Sequence, residues 1–77
     1  MEINKFLENF QSQLEDVETS INASTNYVKA DFWDSLTAMV VKVMIEDEYE
    51  FDIPVEKINS FNSILELFDY IKLNANK

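Results

Sequence analysis

Ser35 is the one residue with a reactive group in a setting that could matter chemically. It lies between Asp34 and Leu36, at the point where a polar stretch gives way to an apolar-rich segment with helical character. A serine there stands at a helix N-terminus, where unpaired N–H groups and the positive end of the helix dipole favour an anion attached to or held by its hydroxyl. Asp34 supplies N-capping chemistry. It also places a negative charge beside the serine. The plainer reading of the same pair is a helix cap and nothing more.

The residues around this position exclude many other chemistries. The chain of 77 residues has no His, Cys, Gly or Arg and a single Pro. There is therefore no imidazole base, thiolate nucleophile, zinc site of the usual ligand types, disulfide or glycine-rich phosphate loop. Fifteen Asp and Glu against 6 Lys give a net charge of −9, which repels nucleic-acid backbones and anionic membrane surfaces. The acidic run Glu46, Asp47, Glu48, Glu50 and Asp52 lacks the glycine and ligand spacing of a calcium loop and reads as a solvated helix end. No metal site is expected. Asn22-Ala23-Ser24 matches a glycosylation acceptor, but MEINKFLENF has acidic residues where a secretory leader would be basic and apolar, and no apolar run approaches the roughly 20 residues of a membrane span. A cytoplasmic protein is expected, monomeric through self-repulsion.

One domain is the expected limit, because a chain this short removes only about 60% of its unfolded surface from water. A hydrophobic fraction of 47%, with six Phe, three Tyr and one Trp, is enough for a small core. Ile3, Phe6, Leu7, Phe10, Leu14 and Val17 fall on one face of a helix predicted over residues 3–16. Thr19 to Asp31 reads as a long flexible loop, with Ile21, Tyr27 and Val28 pinning it to the core. Trp33 reads as a core or loop anchor. A second helix is predicted from Ser35 to Tyr49, ended by Pro54, with a short helical turn over 56–59. A last helix is capped by Ser60, carries Phe61, Ile64, Leu65, Phe68 and Ile71, and ends near Leu73 before a frayed tail. The fold class is all-α: a small antiparallel four-helix bundle of three main helices and a short third one.

The second helix has more apolar surface than such a bundle can bury. At 100° per residue Ala38, Val41, Ile45 and Tyr49 line one side, and Leu36, Met39, Val40 and Val43 line nearly the opposite one. The surplus stripe is a candidate partner surface, continued by Glu46 and Asp47.

Taken in order, Phe32-Trp33-Asp34-Ser35-Leu36, the helix ending Ile45-Glu46-Asp47-Glu48-Tyr49, and then Phe51-Asp52-Ile53-Pro54 resemble the acyl carrier protein family of phosphopantetheine-binding, or thiolation, domains. The resemblance covers essentially the whole chain, in a W-D-S-L form of the family's D-S-L signature. It implies 4′-phosphopantetheine on Ser35 through a phosphodiester, with Asp34 and Leu36 contributing to that site. It also implies a thiol that arrives with the prosthetic group rather than from the chain, and no catalysis by the chain itself. By the same matching, a phosphopantetheinyl transferase and loading or condensing enzymes are the partners. Leu36, Met39, Val40, Val43, Glu46 and Asp47 form their docking face, and Val41, Ile45, Ile53, Ile58 and Phe61 line the core or a sequestered acyl chain.

Thr37 and Val40 stand where many fatty-acid carriers have acidic residues, and Phe32-Trp33 where many members have a glycine. The expectation is a stand-alone acyl or aminoacyl carrier of a specialised polyketide, peptide or modified-lipid pathway. A housekeeping fatty-acid carrier and an unmodified acidic adaptor binding through the second helix are the alternatives.

Overall fold

The computed structural model describes residues 2–14 and 20–75. Among them the chain forms four helices, three main and one short, and no strands: α1 (Ile3–Gln11), α2 (Ser35–Tyr49), α3 (Val55–Ile58) and α4 (Ile64–Ala75). Helix α1 touches both α2 and α4, and α2 touches α3, so one core is shared by all four. No described helix is long and apolar enough to cross a membrane.

The periodicity of α1 has a direct physical outcome. Phe6 and Phe10, one turn apart, lose all exposure, while Asn4, Lys5 and Glu8 on the other side stay in water. The Phe6 ring lies 6.3 Å from Phe10, 5.6 Å from Tyr49 and 5.4 Å from Phe68, tilted in each case, which ties α1, α2 and α4 together. Helix α1 is shorter than its periodicity predicts. It ends at Gln11, where Ser12 Oγ donates to the Asn9 carbonyl and Gln13 and Leu14 continue in a turn. A serine hydroxyl that binds the backbone three residues back competes with helix continuation. Leu14 is still buried; Val17 lies outside the described residues.

Helix α2 stops before Pro54 is reached. Glu50 takes the left-handed conformation, φ 52° and ψ 40°, and its N–H closes on the Glu46 carbonyl, so the stop is a left-handed cap made without glycine. Pro54 instead stands at the N-cap of α3, where its fixed φ suits the entry, and α3 runs over Val55–Ile58 rather than 56–59. Ser60 does not cap the last helix. Its hydroxyl donates back to the Lys57 carbonyl at 2.6 Å and closes α3. The cap of α4 is Ser63, whose Oγ accepts from the Glu66 N–H at 3.1 Å while Glu66 Oε1 accepts from the Asn62 N–H at 2.9 Å, a close variant of the capping box. The helix then runs two residues past Leu73, to Ala75.

The long connection before α2 is anchored rather than loose. Tyr27 is fully buried in a 3₁₀ turn (Tyr27–Lys29), and its hydroxyl donates to the Ile58 carbonyl at the end of α3. Burial, and then the Glu66 charge, push the Tyr27 phenol well above its ordinary range, so it stays a neutral donor. Further back, the Ile64 N–H donates to Thr25 O at 3.0 Å and the Leu65 N–H to Ala23 O at 2.9 Å, so this connection also satisfies the first donors of α4. Ile21 and Val28 pack against the core, half-buried, as their types predict.

Candidate functional site

Ser35 is the first residue of α2 and is exposed. The residues before it fix its position. Trp33 stacks on Phe10 at 6.0 Å, nearly parallel, meets Tyr27 edge-on at 4.7 Å, and donates its indole Nε1–H to Asn59 Oδ1 at 2.8 Å. That side chain joins the end of the loop to the core and to the residue following α3. Its anchoring role was legible in the sequence; its partner Asn59 was not, because the two are brought together only by the packing of α3. The Thr37 hydroxyl adds a hydrogen bond to the Phe32 carbonyl at 3.2 Å.

Asp34, in extended backbone geometry, is the N-cap. Its Oδ1 accepts from the Thr37 N–H at 2.8 Å, and its carbonyl accepts from the Ala38 N–H at 2.9 Å. The Thr37 N–H holds the Asp34 carboxyl below its ordinary pKa, so the group is a carboxylate throughout the neutral range. Ser35 thus stands between a fixed carboxylate and Leu36, at the positive end of a helix of 15 residues. Ser35 is exposed as a residue, and the Asp34 Oδ1 beside it is engaged with the Thr37 N–H. These residues fit a phosphodiester on Ser35 Oγ: the helix end stabilises the anion, and exposure admits an enzyme to the oxygen.

The stripe expected to face outward does so. Leu36 is 64% exposed, Met39 57% and Val43 52%, while Val40 is half-buried at the edge of the same face. On the opposite side Ala38, Val41 and Ile45 are fully buried with Met44 almost so, and Tyr49 is half-buried with its hydroxyl accepting from Asn9 Nδ2 at 3.2 Å. Glu46 and Asp47 are exposed, but they differ. Lys42, extending from α2, pairs with Glu46 one turn on and with Asp52 Oδ1 at 2.8 Å, and both acids raise its pKa. Glu46 is therefore partly neutralised.

Four of the five residues expected to line the interior, Val41, Ile45, Ile53 and Ile58, have no exposure at all. Phe61 departs from that group. It precedes α4 and is half-buried, 5.5 Å from the Tyr70 ring, with the Lys57 ammonium over both rings at 5.5 and 4.9 Å. Its displacement follows from the start of α4 at Ile64, which takes Phe61 off the helical register that would turn it inward. The described residues hold no cluster of three or more His, Cys, Asp or Glu placed to bind a metal.

A cleft of about 380 Å³ opens next to Ser35, between α2 and the segment leading into it, lined by Gln13, Asp31, Phe32, Asp34, Leu36, Thr37 and Val40. Asp31 is exposed and Phe32 half-buried. Neither had been a site candidate from sequence, because nothing in the spacing of residues 13, 31 and 40 signals that they converge.

A family model described as "Phosphopantetheine attachment site" matches residues 4–71. No curated protein and no solved structure matches the chain.

Proposed function

The chain belongs to the phosphopantetheine attachment-site family, and from that premise we propose that Ser35 is its attachment residue and that it works as an acyl or aminoacyl carrier of a specialised pathway. Members of the family are non-catalytic carriers that hold 4′-phosphopantetheine covalently, and their partners are a phosphopantetheinyl transferase and the enzymes of a pathway. The bound group supplies a thiol at the end of a long arm, on which cargo is held as a thioester.

The observation that carries the assignment is the position of Ser35: exposed, first in α2, with its neighbour Asp34 locked as a carboxylate. In attachment the Ser35 Oγ–H loses its proton and the oxygen bonds to phosphorus, releasing the nucleotide half of coenzyme A. Asp34 favours a cationic or metal-bearing enzyme at that oxygen. After attachment it opposes the new negative charge, which the helix end partly offsets.

The specialised pathway rests on the stripe. Leu36, Met39, Val40 and Val43 offer apolar contact where charge pairing through acidic residues would need carboxylates at Thr37 and Val40. Burial at roughly 25 cal/mol per Å² can supply such an interface with little salt dependence. With Glu46 held by Lys42, Asp47 is the more available charge at its lower edge.

The experiment is intact mass after incubation with coenzyme A, magnesium and a broad-specificity phosphopantetheinyl transferase, with Ser35→Ala alongside. A gain of one phosphopantetheine on the wild-type chain and none on the variant supports the assignment. No gain on folded protein with several transferases returns Asp34-Ser35 to the role of a helix cap.

A further inference from the structure

The end of α3 is tied to the segment leading into Ser35 at neighbouring positions. The Tyr27 hydroxyl donates to the Ile58 carbonyl, a buried bond, and the Trp33 indole Nε1–H donates to Asn59 Oδ1 at 2.8 Å, an exposed one. We propose that Asn59 is a positioning residue for attachment at Ser35: by holding the Trp33 indole it sets where Asp34 and Ser35, which follow directly, are presented. The proposal rests on the functional reading above, because it concerns the delivery of Ser35 Oγ to the enzyme that modifies it.

The aromatic contacts of Trp33 leave one freedom open. Phe10 lies against its face, 6.0 Å away and 10° from parallel, and the Tyr27 ring meets it edge-on at 4.7 Å. Packing on a flat face fixes the tilt and height of a ring but resists sliding and turning in its own plane only weakly, because each atomic contact is small and has no direction. A hydrogen bond from Nε1 lies in the ring plane and is directional. The bond to Asn59 therefore removes the remaining freedom. Few torsions separate an indole from its backbone, so fixing the ring also fixes the Trp33 Cα and the start of the next residue.

The other hydrogen bonds of this segment stay local. Phe32 O accepts from Thr37 Oγ1 and Asp34 Oδ1 from the Thr37 N–H, both within the first turn of α2, and the Trp33 N–H donates to Ala30 O. Among the described residues, the Trp33–Asn59 bond is the one that carries residues 32–34 to α3. Asn59 is itself firmly based. It is the C-cap of α3, its N–H donates to the Val55 carbonyl at 3.0 Å, and Ile58 before it is fully buried. Attachment requires the serine oxygen to be aligned with the incoming phosphorus, and alignment of this kind accounts for much of a catalysed rate. The outward stripe of α2 does not include Asn59. Losing the bond should therefore slow the step at saturation more than it weakens docking.

The test compares Asn59→Ala, which removes the acceptor, with Asn59→Asp, which keeps one, and with Ser60→Ala, which removes the neighbouring bond to Lys57 O at the same helix end and leaves Trp33 untouched. Asn59 and Ser60 are exposed, so the variants keep the fold, which circular dichroism checks. Trp33 is the single tryptophan of the chain, so its indole N–H resonance reports this bond alone. In Asn59→Ala that resonance should move and exchange faster with solvent, and the amides of Asp34 and Ser35 should shift. The kcat for phosphopantetheine attachment, followed by intact mass, should fall about three- to tenfold, the scale of one hydrogen bond, with KM little changed. Asn59→Asp and Ser60→Ala should keep kcat within about twofold of wild type. Equal kcat for the wild-type chain and Asn59→Ala overturns the proposal and leaves the Ser35 reading intact. An equal fall in Ser60→Ala also overturns it, assigning the effect to a general loosening of α3. No attachment to the wild-type chain overturns the Ser35 reading and the proposal with it.

Discussion

Helices α1 and α2 are both rich in apolar residues, yet they use them in opposite ways. In α1 the apolar side chains share one face: Phe6 and Phe10 are sealed and Ile3 and Leu7 are half-buried beside them. In α2 a buried face of Ala38, Val41, Met44 and Ile45 is matched by an outward one on which Leu36, Met39 and Val43 are each more than half exposed. Folding accounts for all of the first arrangement and only half of the second. Contiguous apolar surface left in water is tolerated where it meets something, and here it adjoins the Asp34-Ser35 pair. The difference separates a helix built for the core from one that also keeps apolar surface in water, the face proposed above to dock partners.

The comparison predicts that substitutions separate in the same way. Phe6→Ala has the largest expected effect, about 3–5 kcal/mol, because it removes a ring touching Phe10, Tyr49 and Phe68 and leaves a cavity. That is a large part of the ~4–12 kcal/mol expected for a chain of this length. The cooperative thermal transition followed by circular dichroism should be lost or shifted far down; a small shift would break the assignment of α1 to the core. Tyr27→Phe comes next. It keeps the ring and removes the donor to Ile58 O, leaving a buried carbonyl unpaired at a cost of about 1–3 kcal/mol in chemical denaturation.

Asp34→Ala probes the junction of the two roles. The folded-state pKa of Asp34 lies below its ordinary value of 3.8, so its ionised cap contributes fully above that value and fades as pH falls through the lowered one. Wild type should therefore be more stable than the variant at neutral pH, with the gap closing in acid. A pH-independent gap would mean that the carboxylate charge is not what caps α2. Val40→Glu sharpens the comparison most while disturbing stability least, within about 0.5 kcal/mol for a substitution at the edge of the outward face. Transfer from the cognate loading enzyme should nevertheless fall sharply. Unchanged transfer would mean that the stripe does not dock partners through apolar contact.

Much of this architecture was legible because it depends on local rules. The spacing of Phe6 and Phe10, the cap at Asp34, the excess apolar surface of α2 and the anchoring of Trp33 and Tyr27 each follow from residue type and period. The errors fall where two local signals competed. Ser60 and Ser63 both suit a cap, and the choice went to Ser63 because Glu66 lies three residues on to complete the pair. The predicted end of α2 at Tyr49 holds, but its expected cause, Pro54, does not: the chain turns left-handed earlier, at Glu50, a residue type that gives no such signal. The loop into α2 read as mobile because its sequence is polar, but its carbonyls at Ala23 and Thr25 are the partners that the start of α4 requires.

By itself the sequence determined the helical class and the outward stripe and singled out Ser35 as the candidate for attachment, since composition, periodicity and motif spacing bear on these without reference to distant residues. Only the tertiary structure decided which acids stand alone and which are paired, that Asn59 holds Trp33, and that Gln13, Asp31 and Val40 meet in one cleft beside Ser35. The physical reason is that a hydrogen bond, an ion pair or a cleft wall depends on distances of a few ångströms between residues far apart in the chain. Those distances are set by how the helices pack, and no local pattern encodes them.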